Sequence, residues 1–262
     1  MSVKKYFTTY SISVRNGLFY TGNVFGGSVF YVIVIYIFFS LWSVIYKGNA
    51  IAGYTFTQMI WYICMAEVII MSTGGGWRSQ VSDDIKSGAI AYQLGRPYNY
   101  IWYQFANFMG STSIKMVIFT IIALVLGVIL VGLPPVSSIV MLPFFIISVL
   151  LSVALQFFIL MSLALSAFFV EENRPFFFIY NKLILILGTF VPIEFFPQWM
   201  QSILRYMPFS LVSWAPSKML VSFSMSHAMF AIPMQLGWLI IFIGIAMSVY
   251  KRGVKQIHVN GG

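Results

Sequence analysis

The chain has 262 residues, of which 60% are hydrophobic and 8% are charged, with a formal net charge of +9. Soluble domains carry roughly 25% charged residues, so this composition excludes a soluble globular protein. Uninterrupted apolar runs of about 20 residues predict an all-α integral membrane protein rather than a barrel of alternating strands. The length allows six such spans and no folded soluble domain, so we expect residues 1–262 to form one transmembrane domain.

The polar residues disfavour several classes of function. The basic residues form no dense block, which argues against nucleic acid as a partner. Cys64 lies alone in an apolar run and the two histidines are far apart, so we expect no disulfide and no metal site. The sequence has no phosphate-binding Gly-x-x-x-x-Gly-Lys-Ser/Thr loop and no Ser/His/Asp or zinc pattern. We therefore expect a chain that is not an enzyme and binds no cofactor itself.

Residues 2–20 are expected to form an amphipathic helix that lies in the membrane interface. Their apolar residues recur at spacings of three and four, which places them on one helical face. These residues are Val3, Phe7, Tyr10, Val14 and Leu18. A disordered basic tail is the alternative.

Six membrane spans are predicted from the apolar runs that follow, with a broken stretch before the last of them. The spans are about 24–46, 55–75, 107–132, 139–170, 176–196 and 228–250. Between the last two, residues 197–227 are apolar but interrupted by Pro197, Pro208 and Pro216, and each piece is too short to cross a membrane. We expect a re-entrant hairpin of two short helices there.

The distribution of Lys and Arg predicts the orientation. If both termini lie on one side, the opposite side holds only Lys47, Arg205 and Lys218 of the 15 basic residues. We therefore expect both termini, the segment 77–100 and the turn 171–175 to be cytoplasmic. The loop 47–54, the turn 133–138 and the stretch 197–227 are expected to be external.

The polar segment 77–100, WRSQVSDDIKSGAIAYQLGRPYNY, interrupts the apolar pattern. Ser82 is predicted to cap a short helix, with Asp83 and Asp84 in its first turn and Gly88 at its end. A second amphipathic piece follows at 89–94. Such a stiff helix at the membrane surface is able to transmit a push from another protein. An ordinary solvated loop is the alternative.

The sequence DDIKSGAIAYQLGRPYNY resembles the cytoplasmic loop of ABC-2 type permeases, in the bacterial branch with six spans. Three further segments are similar to that family. They are VPIEFFPQWMQSILRYMPFSLVSWAPSKML, the ending YKRGVKQIHVNGG, and the N-terminal helix leading into YTGNVFGG. Together the segments cover most of the chain in order.

The resemblance implies a type V ABC exporter-like fold and a membrane subunit that moves a substrate out of the cytoplasm. It implies two copies of a separate ATPase, which would bind ATP and Mg²⁺, and a second permease chain, identical or homologous. The implied location is the inner membrane of a bacterial cell. The rivals are an ATP-independent secondary transporter or channel, and a membrane scaffold without transport; several intramembrane charges and inverted repeats, which would favour the first, are not evident.

The family further implies a coupling helix at about 83–88 that docks in a groove of the ATPase. The turn 171–174 is a second expected contact, with a solvated turn as the alternative. The residues expected to couple the chain to the ATPase are Ser82, Asp83, Asp84, Ile85, Lys86, Ser87, Gly88, Arg96, Glu171, Glu172 and Arg174.

Glu67 is the acidic residue that lies deep within a predicted span. Placing an ionisable group there costs about 3 kcal/mol, so such groups usually face a cavity or a partner. We expect Glu67 to line the translocation path and to favour cationic or hydrogen-bonding cargo, with Asn181 and Trp238 as further candidates. The alternative is a protonated or locally hydrogen-bonded glutamate. Lys182 is expected to reach towards the membrane surface.

Overall fold

The computed structural model describes residues 4–19, 21–48, 50–136 and 139–260, so the expected role of Val3 lies outside the described residues. Within these ranges the chain forms α-helices and no β-strand. The helices are α1 (Lys4–Phe19), α2 (Thr21–Ile45), α3 (Phe56–Thr73), α4 (Trp77–Lys86), α5 (Ile90–Leu94), α6 (Tyr100–Val131), α7 (Met141–Leu165), α8 (Arg174–Ile184), α9 (Gln198–Leu204), α10 (Pro208–Val221) and α11 (Met225–Asn260).

Five helical segments of the described chain are long and apolar enough to cross a membrane. They are Phe25–Ile45, Phe56–Lys86, Tyr100–Val131, Met141–Phe168 and Met225–Gln256. Their number and composition confirm the expected all-helical, multi-pass membrane class.

The predicted span 176–196 is not among the five candidates. Helix α8 passes into a π-helical turn, Leu185–Phe190, and the backbone becomes extended at Val191, before Pro192. A residue that precedes proline is disfavoured in the helical conformation, so the helix ends there. Residues 174–190 therefore fall short of the about 20 residues of a full span.

Other predicted boundaries shift for local reasons. Helix α6 begins at Tyr100 rather than 107, because the side chain of Asn99 caps it by accepting hydrogen bonds from the N–H groups of Ile101 and Trp102. Helix α11 continues to Asn260, so the basic segment after residue 250 is helical. Pro216 lies inside α10 and does not end it.

Helix α3 is the centre of the bundle. It packs against α2, α6, α7 and α10, and most of its residues are buried. A helix that is apolar on all sides requires such enclosure. A capping box formed by Thr55 and Gln58 begins the helix, and the N–H of Gly74 donates to the Ile70 carbonyl at its end.

The two short helices expected between residues 197 and 227 are α9 and α10. The proline at 197 immediately precedes α9, and Pro208 is the first residue of α10, a position that tolerates its missing N–H. Helix α10 is buried against α3 and α7, so the hairpin forms an internal wall of the bundle. We call the end of the bundle that contains α9 the hairpin end, and the opposite end, which contains α4, the α4 end.

A partly buried ion pair fixes the hairpin end. The Glu194 carboxylate accepts hydrogen bonds from the Tyr54 hydroxyl at 3.0 Å and the Trp214 indole N–H at 3.2 Å, and it pairs with Lys218. The Lys218 ammonium also lies over the Trp214 ring. Three side chains from two separate parts of the chain, the loop before α3 and helix α10, therefore converge on one carboxylate.

We expect Glu194→Ala to destabilise the chain by about 1–3 kcal/mol, because it leaves the partly buried Lys218 charge and the Tyr54 and Trp214 donors without their acceptor. Thermal unfolding of the purified chain in detergent measures the effect. Arg205→Ala is the matched control, since Arg205 is exposed at the same end and forms no ion pair with any described residue. Equal unfolding temperatures for the two variants would contradict the assignment.

Helix α1 packs closely along α6 through a glycine. A Cβ atom built at Gly110 would lie 2.6 Å from the Tyr10 carbonyl oxygen and 2.7 Å from the Ser13 Cβ. The Ser13 hydroxyl donates to the Asn107 carbonyl at 2.7 Å. The face of α1 that contacts α6 is not the apolar face that the sequence predicts, because Phe7 and Leu18 of the apolar face are exposed. The face that contacts α6 instead buries the side chain of Ser13.

We expect Gly110→Ala to loosen α1, because overpacking against a backbone carbonyl costs about 1–3 kcal/mol. The readouts are a lower unfolding temperature and faster proteolysis of α1. Gly244→Ala is the control, since no atom lies within 4 Å of a Cβ at that position. There alanine should be neutral or stabilising, because it favours the helix by about 1 kcal/mol over glycine. A Gly110→Ala chain as stable as Gly244→Ala would refute the close contact.

Candidate functional site

Helix α4 is longer than the sequence predicts, and it begins earlier. Its first residue, Trp77, is held by ring contacts with Phe157 and Phe108 at centroid distances of 5.0 and 5.3 Å. The predicted cap at Ser82 is therefore wrong, because that residue lies inside the helix and its hydroxyl donates to the Arg78 carbonyl at 3.1 Å.

The end of α4 agrees with the prediction, whereas the position of its carboxylates does not. Gly88 follows the helix with a φ of +76°, a conformation that glycine adopts without strain. Asp83 and Asp84 lie in the second half of α4 rather than in its first turn. Helix polarity therefore does not favour these two carboxylates.

The turn 171–174 is joined to α4 by one buried amide. The Asn173 side chain is 1% exposed, and its amide donates to the Ser82 hydroxyl at 3.0 Å. The same amide donates to the carbonyls of Leu163 and Ala164 at the end of α7. Asn173 therefore binds α4, the turn and α7 into one unit.

The exposed side of this unit is a charged surface formed by Asp83, Lys86, Glu171, Glu172 and Arg174. The Glu172 carboxylate lies 3.6 Å from the Lys86 ammonium and 3.8 Å from the Arg174 guanidinium. The Arg174 backbone N–H donates to this carboxylate at 2.9 Å, and this hydrogen bond lowers the pKa of Glu172. Exposed pairs of this kind contribute little stability, so the surface is available to a partner.

The remaining residues expected to couple to an ATPase occupy different positions. Ile85 is a buried residue of α4, and the Ser87 hydroxyl donates to the Asp83 carbonyl at 2.7 Å. Arg96 lies after α5, where its guanidinium donates to the Tyr98 hydroxyl. Among the described contacts, none joins Arg96 to the charged surface, whereas Asp83, Lys86 and Arg174 line one cleft of about 290 Å³.

A larger cavity, of about 830 Å³, lies beside the same helix. Its walls come from α1, α2, α3, α4, α6, α7 and α8, with the backbone of residues 74–76 between α3 and α4. Its polar side chains include Arg78, Lys115, Gln156, Asn181 and Lys182. The Arg78 guanidinium donates to the Asn181 amide oxygen at 3.3 Å, and the Lys115 ammonium donates to the Gly74 carbonyl at 2.9 Å.

The three residues expected along a translocation path are not brought together. Asn181 lines the large cavity, whereas Glu67 and Trp238 do not. Glu67 is 2% exposed and lies near Tyr31 and Cys64, in the core between α2 and α3. The Trp238 indole N–H donates to the Tyr206 carbonyl at 2.8 Å, so this residue ties α11 to the hairpin end.

Few features of the sequence distinguish the cationic residues of the cavity from other basic residues. Lys182 was expected to reach towards the membrane surface, and neither Lys115 nor Arg78 was named as a site residue. Their one local signal is that Lys115 and Lys182 each interrupt a long apolar run. That Arg78 joins them depends on the break in the helix at residues 74–76, since these glycines and Arg78 all line the cavity.

We expect Asn173→Ala to destabilise the chain by about 1–3 kcal/mol, because it leaves buried polar groups of Ser82 and α7 without their donor. The unfolding temperature of the purified chain tests this expectation. Asn16→Ala is the matched control, since Asn16 is exposed on α1. An unfolding temperature for Asn173→Ala equal to that of the control would show that the amide does not join these elements.

Comparison with protein families identifies one match over most of the chain. The model of the family described as "ABC-2 family transporter protein" matches residues 29–261. No curated protein matches the chain. The family match covers all the described membrane-crossing helices apart from the first residues of α2, together with α4, the turn 171–174 and the hairpin. The chain belongs to the ABC-2 transporter family, and is a multi-pass membrane protein of that family.

Proposed function

We propose that this chain is the permease subunit of an ATP-binding cassette exporter, which moves a substrate out of the cytoplasm. ATP and Mg²⁺ would bind to two copies of a separate ATPase subunit. Family membership supports a role in transport. The sequence carries no phosphate-binding loop of its own, which agrees with a motor on another polypeptide.

The observation that carries the proposal is that α4 contributes both to the exposed charged surface and to the wall of the large cavity. Asp83, near its end, belongs to the exposed charged surface, and Arg78, near its start, lines the large cavity. A force applied to the charged surface would therefore move a wall of the cavity. Asn173 would pass the same force to α7.

In the proposed cycle, the ATPase subunits contact the charged surface of Asp83, Lys86, Glu171, Glu172 and Arg174. Their closure on ATP would favour one arrangement of α4 over another, and so shift the cavity between two states of access. The free energy available for this shift is the difference in the affinity of the ATPase for the two states.

The arrangement of the termini supports the proposed cytoplasmic side. Near the N-terminus, Lys5 donates to the Pro97 carbonyl and the Tyr6 hydroxyl accepts from the Asn99 N–H at 3.1 Å. Near the C-terminus, the Tyr250 ring stacks on Tyr100, with centroids 6.1 Å apart. Both ends of the described chain therefore lie at the α4 end, where the positive-inside rule places the cytoplasm.

Exposed apolar residues supply the surfaces that a bilayer or a second permease chain would cover. They line the outer faces of α2, α6 and α11, and include Ile33, Ile37, Ile121, Ile129 and Ile240. We propose that the complex contains two permease chains, identical or homologous, in the inner membrane of a bacterial cell.

Copurification tests the proposal. The tagged full-length chain, isolated from native membranes in mild detergent, should carry a soluble ATPase in stoichiometric amount. Asp83→Arg should weaken this association about tenfold, because reversing an exposed charge at the contact costs about 1.4 kcal/mol or more. Arg205→Ala, exposed at the hairpin end, is the control and should retain the ATPase.

Two results would contradict the proposal. One is an Asp83→Arg chain with normal ATPase association and transport, which would remove the charged surface from the contact. The other is a solitary wild-type chain that moves solute in vesicles without ATP, which would favour a channel or secondary transporter.

A further inference from the structure

The large cavity beside α4 contains positive charge without compensation. Arg78, Lys115 and Lys182 line it, and none of the chain's six carboxylates does. The ion pairs of the described residues join Lys86 and Arg174 to Glu172, and Lys218 to Glu194. The three cations of the cavity therefore have only neutral acceptors within the described chain.

The burial of two of these cations makes their lack of a counter-ion significant. Arg78 and Lys115 are partly buried, and their hydrogen bonds go to an amide oxygen and a backbone carbonyl. Removing an unpaired charge from water is unfavourable, and a nearby anion offsets that cost. A bound anion is therefore the ligand that this arrangement favours.

Two neutral features of the cavity point the same way. Gly76, which immediately precedes α4, lines the cavity, and no side chain caps the first N–H groups of the helix. The positive end of a helix adds to the attraction for an anion. Gln156 also lines the cavity; its amide oxygen accepts from the Tyr180 hydroxyl, and no described residue accepts from its amide nitrogen.

The rest of the cavity surface is apolar. Phe30, Ile70, Phe119 and Leu185 contribute to it. A volume of about 830 Å³ accommodates more than a small ion. The combination of clustered cations and apolar walls fits a molecule with an anionic headgroup and a hydrocarbon portion.

Helix α2 contacts the segment that follows α8 through aromatic rings. The rings of Phe38 and Phe190 are in contact at 4.8 Å, and those of Trp42 and Phe195 at 5.5 Å, towards the hairpin end. Further towards α4, Phe30 and Lys182 line the cavity from α2 and α8, and both are exposed. Exposed residues of α2 and α8 therefore border the cavity, on a side that a bilayer would cover.

We propose that this cavity binds an anionic amphiphile, and that this is the substrate class of the chain. The inference rests on the proposed transport function for its role, but not for the binding itself. It replaces the preference for cationic cargo that Glu67 suggested, because Glu67 does not line the cavity.

Equilibrium binding to the full-length chain in phosphatidylcholine nanodiscs tests the proposal, with empty nanodiscs as background. The probe is radiolabelled dodecyl phosphate. It should bind saturably, and dodecanol and dodecyltrimethylammonium should compete at least about tenfold less well, because they lack the anionic acceptor. Inorganic phosphate should also compete poorly, since it lacks the apolar chain; equal competition by inorganic phosphate or dodecanol would overturn the proposal.

Variants locate the site. Lys182→Gln and Lys115→Gln should each weaken binding of dodecyl phosphate roughly tenfold, and Lys115→Arg should restore most of it, because a cation is retained. Lys182 is exposed, so its replacement does not threaten folding. Lys251→Gln, an exposed basic residue of α11 outside the cavity, is the matched control and should bind normally. Unchanged binding by Lys182→Gln and Lys115→Gln would place the site elsewhere.

A further measurement distinguishes a bilayer lipid from an added amphiphile as the ligand, and the design also keeps the binding proposal separate from the export proposal. In nanodiscs that contain phosphatidylglycerol, displacement of the probe assigns the cavity to an anionic bilayer lipid, and persistence assigns it to an added amphiphile. Both results support the anionic amphiphile as ligand. Binding is measured without an ATPase, so failure of copurification would affect the proposed export function and leave the binding result standing.

Discussion

The enclosure of α3 is the constraint on which the rest of the structure depends. This helix is apolar around its whole circumference and is surrounded by α2, α6, α7 and α10. A bilayer would satisfy such a helix without further packing, but helices in membranes associate through close contacts rather than through exclusion from water. Here the contact is close: a Cβ at Gly127 would lie 2.6 Å from the Trp61 ring. The Trp61 indole also donates to the Gly132 carbonyl.

The need to enclose α3 explains why the hairpin lies inside the bundle, since α10 covers one side of α3. Helix α10 has 14 residues, too few to cross a membrane, yet it is one of the most buried helices. Hydrogen bonds join it to the neighbouring helices: the Gln235 amide of α11 donates to the Leu211 carbonyl of α10 and to the Ser152 hydroxyl of α7. The Glu194–Lys218 pair then holds the hairpin against the loop before α3. Irregular backbone at such a depth is tolerated only where protein surrounds it.

Local patterns predicted much of the fold, whereas the candidate site depends on contacts distant in sequence. The apolar runs identified the long helices, and the prolines identified α9 and α10. Glycine at position 88 identified the end of α4. The start of α4 was missed because Trp77 is fixed by Phe157, far along the chain. Glu67 was singled out because it lies in the middle of a predicted span. Glu194 was not, because its partners Lys218 and Tyr54 lie 24 and 140 residues away in the sequence.

The basic residues inside the two ends of the bundle differ in whether a carboxylate pairs with them. At the hairpin end, Lys218 has its carboxylate, and the pair is structural. At the α4 end, Arg78 and Lys115 have none, and under the proposal above a bound anion would offset the cost of their burial. Arg78 and Asp83 are five positions apart on one helix, or about 8 Å along its axis. Under the proposed mechanism, ligand binding and motor contact would therefore act on the same rigid element, and no extended pathway between them is required.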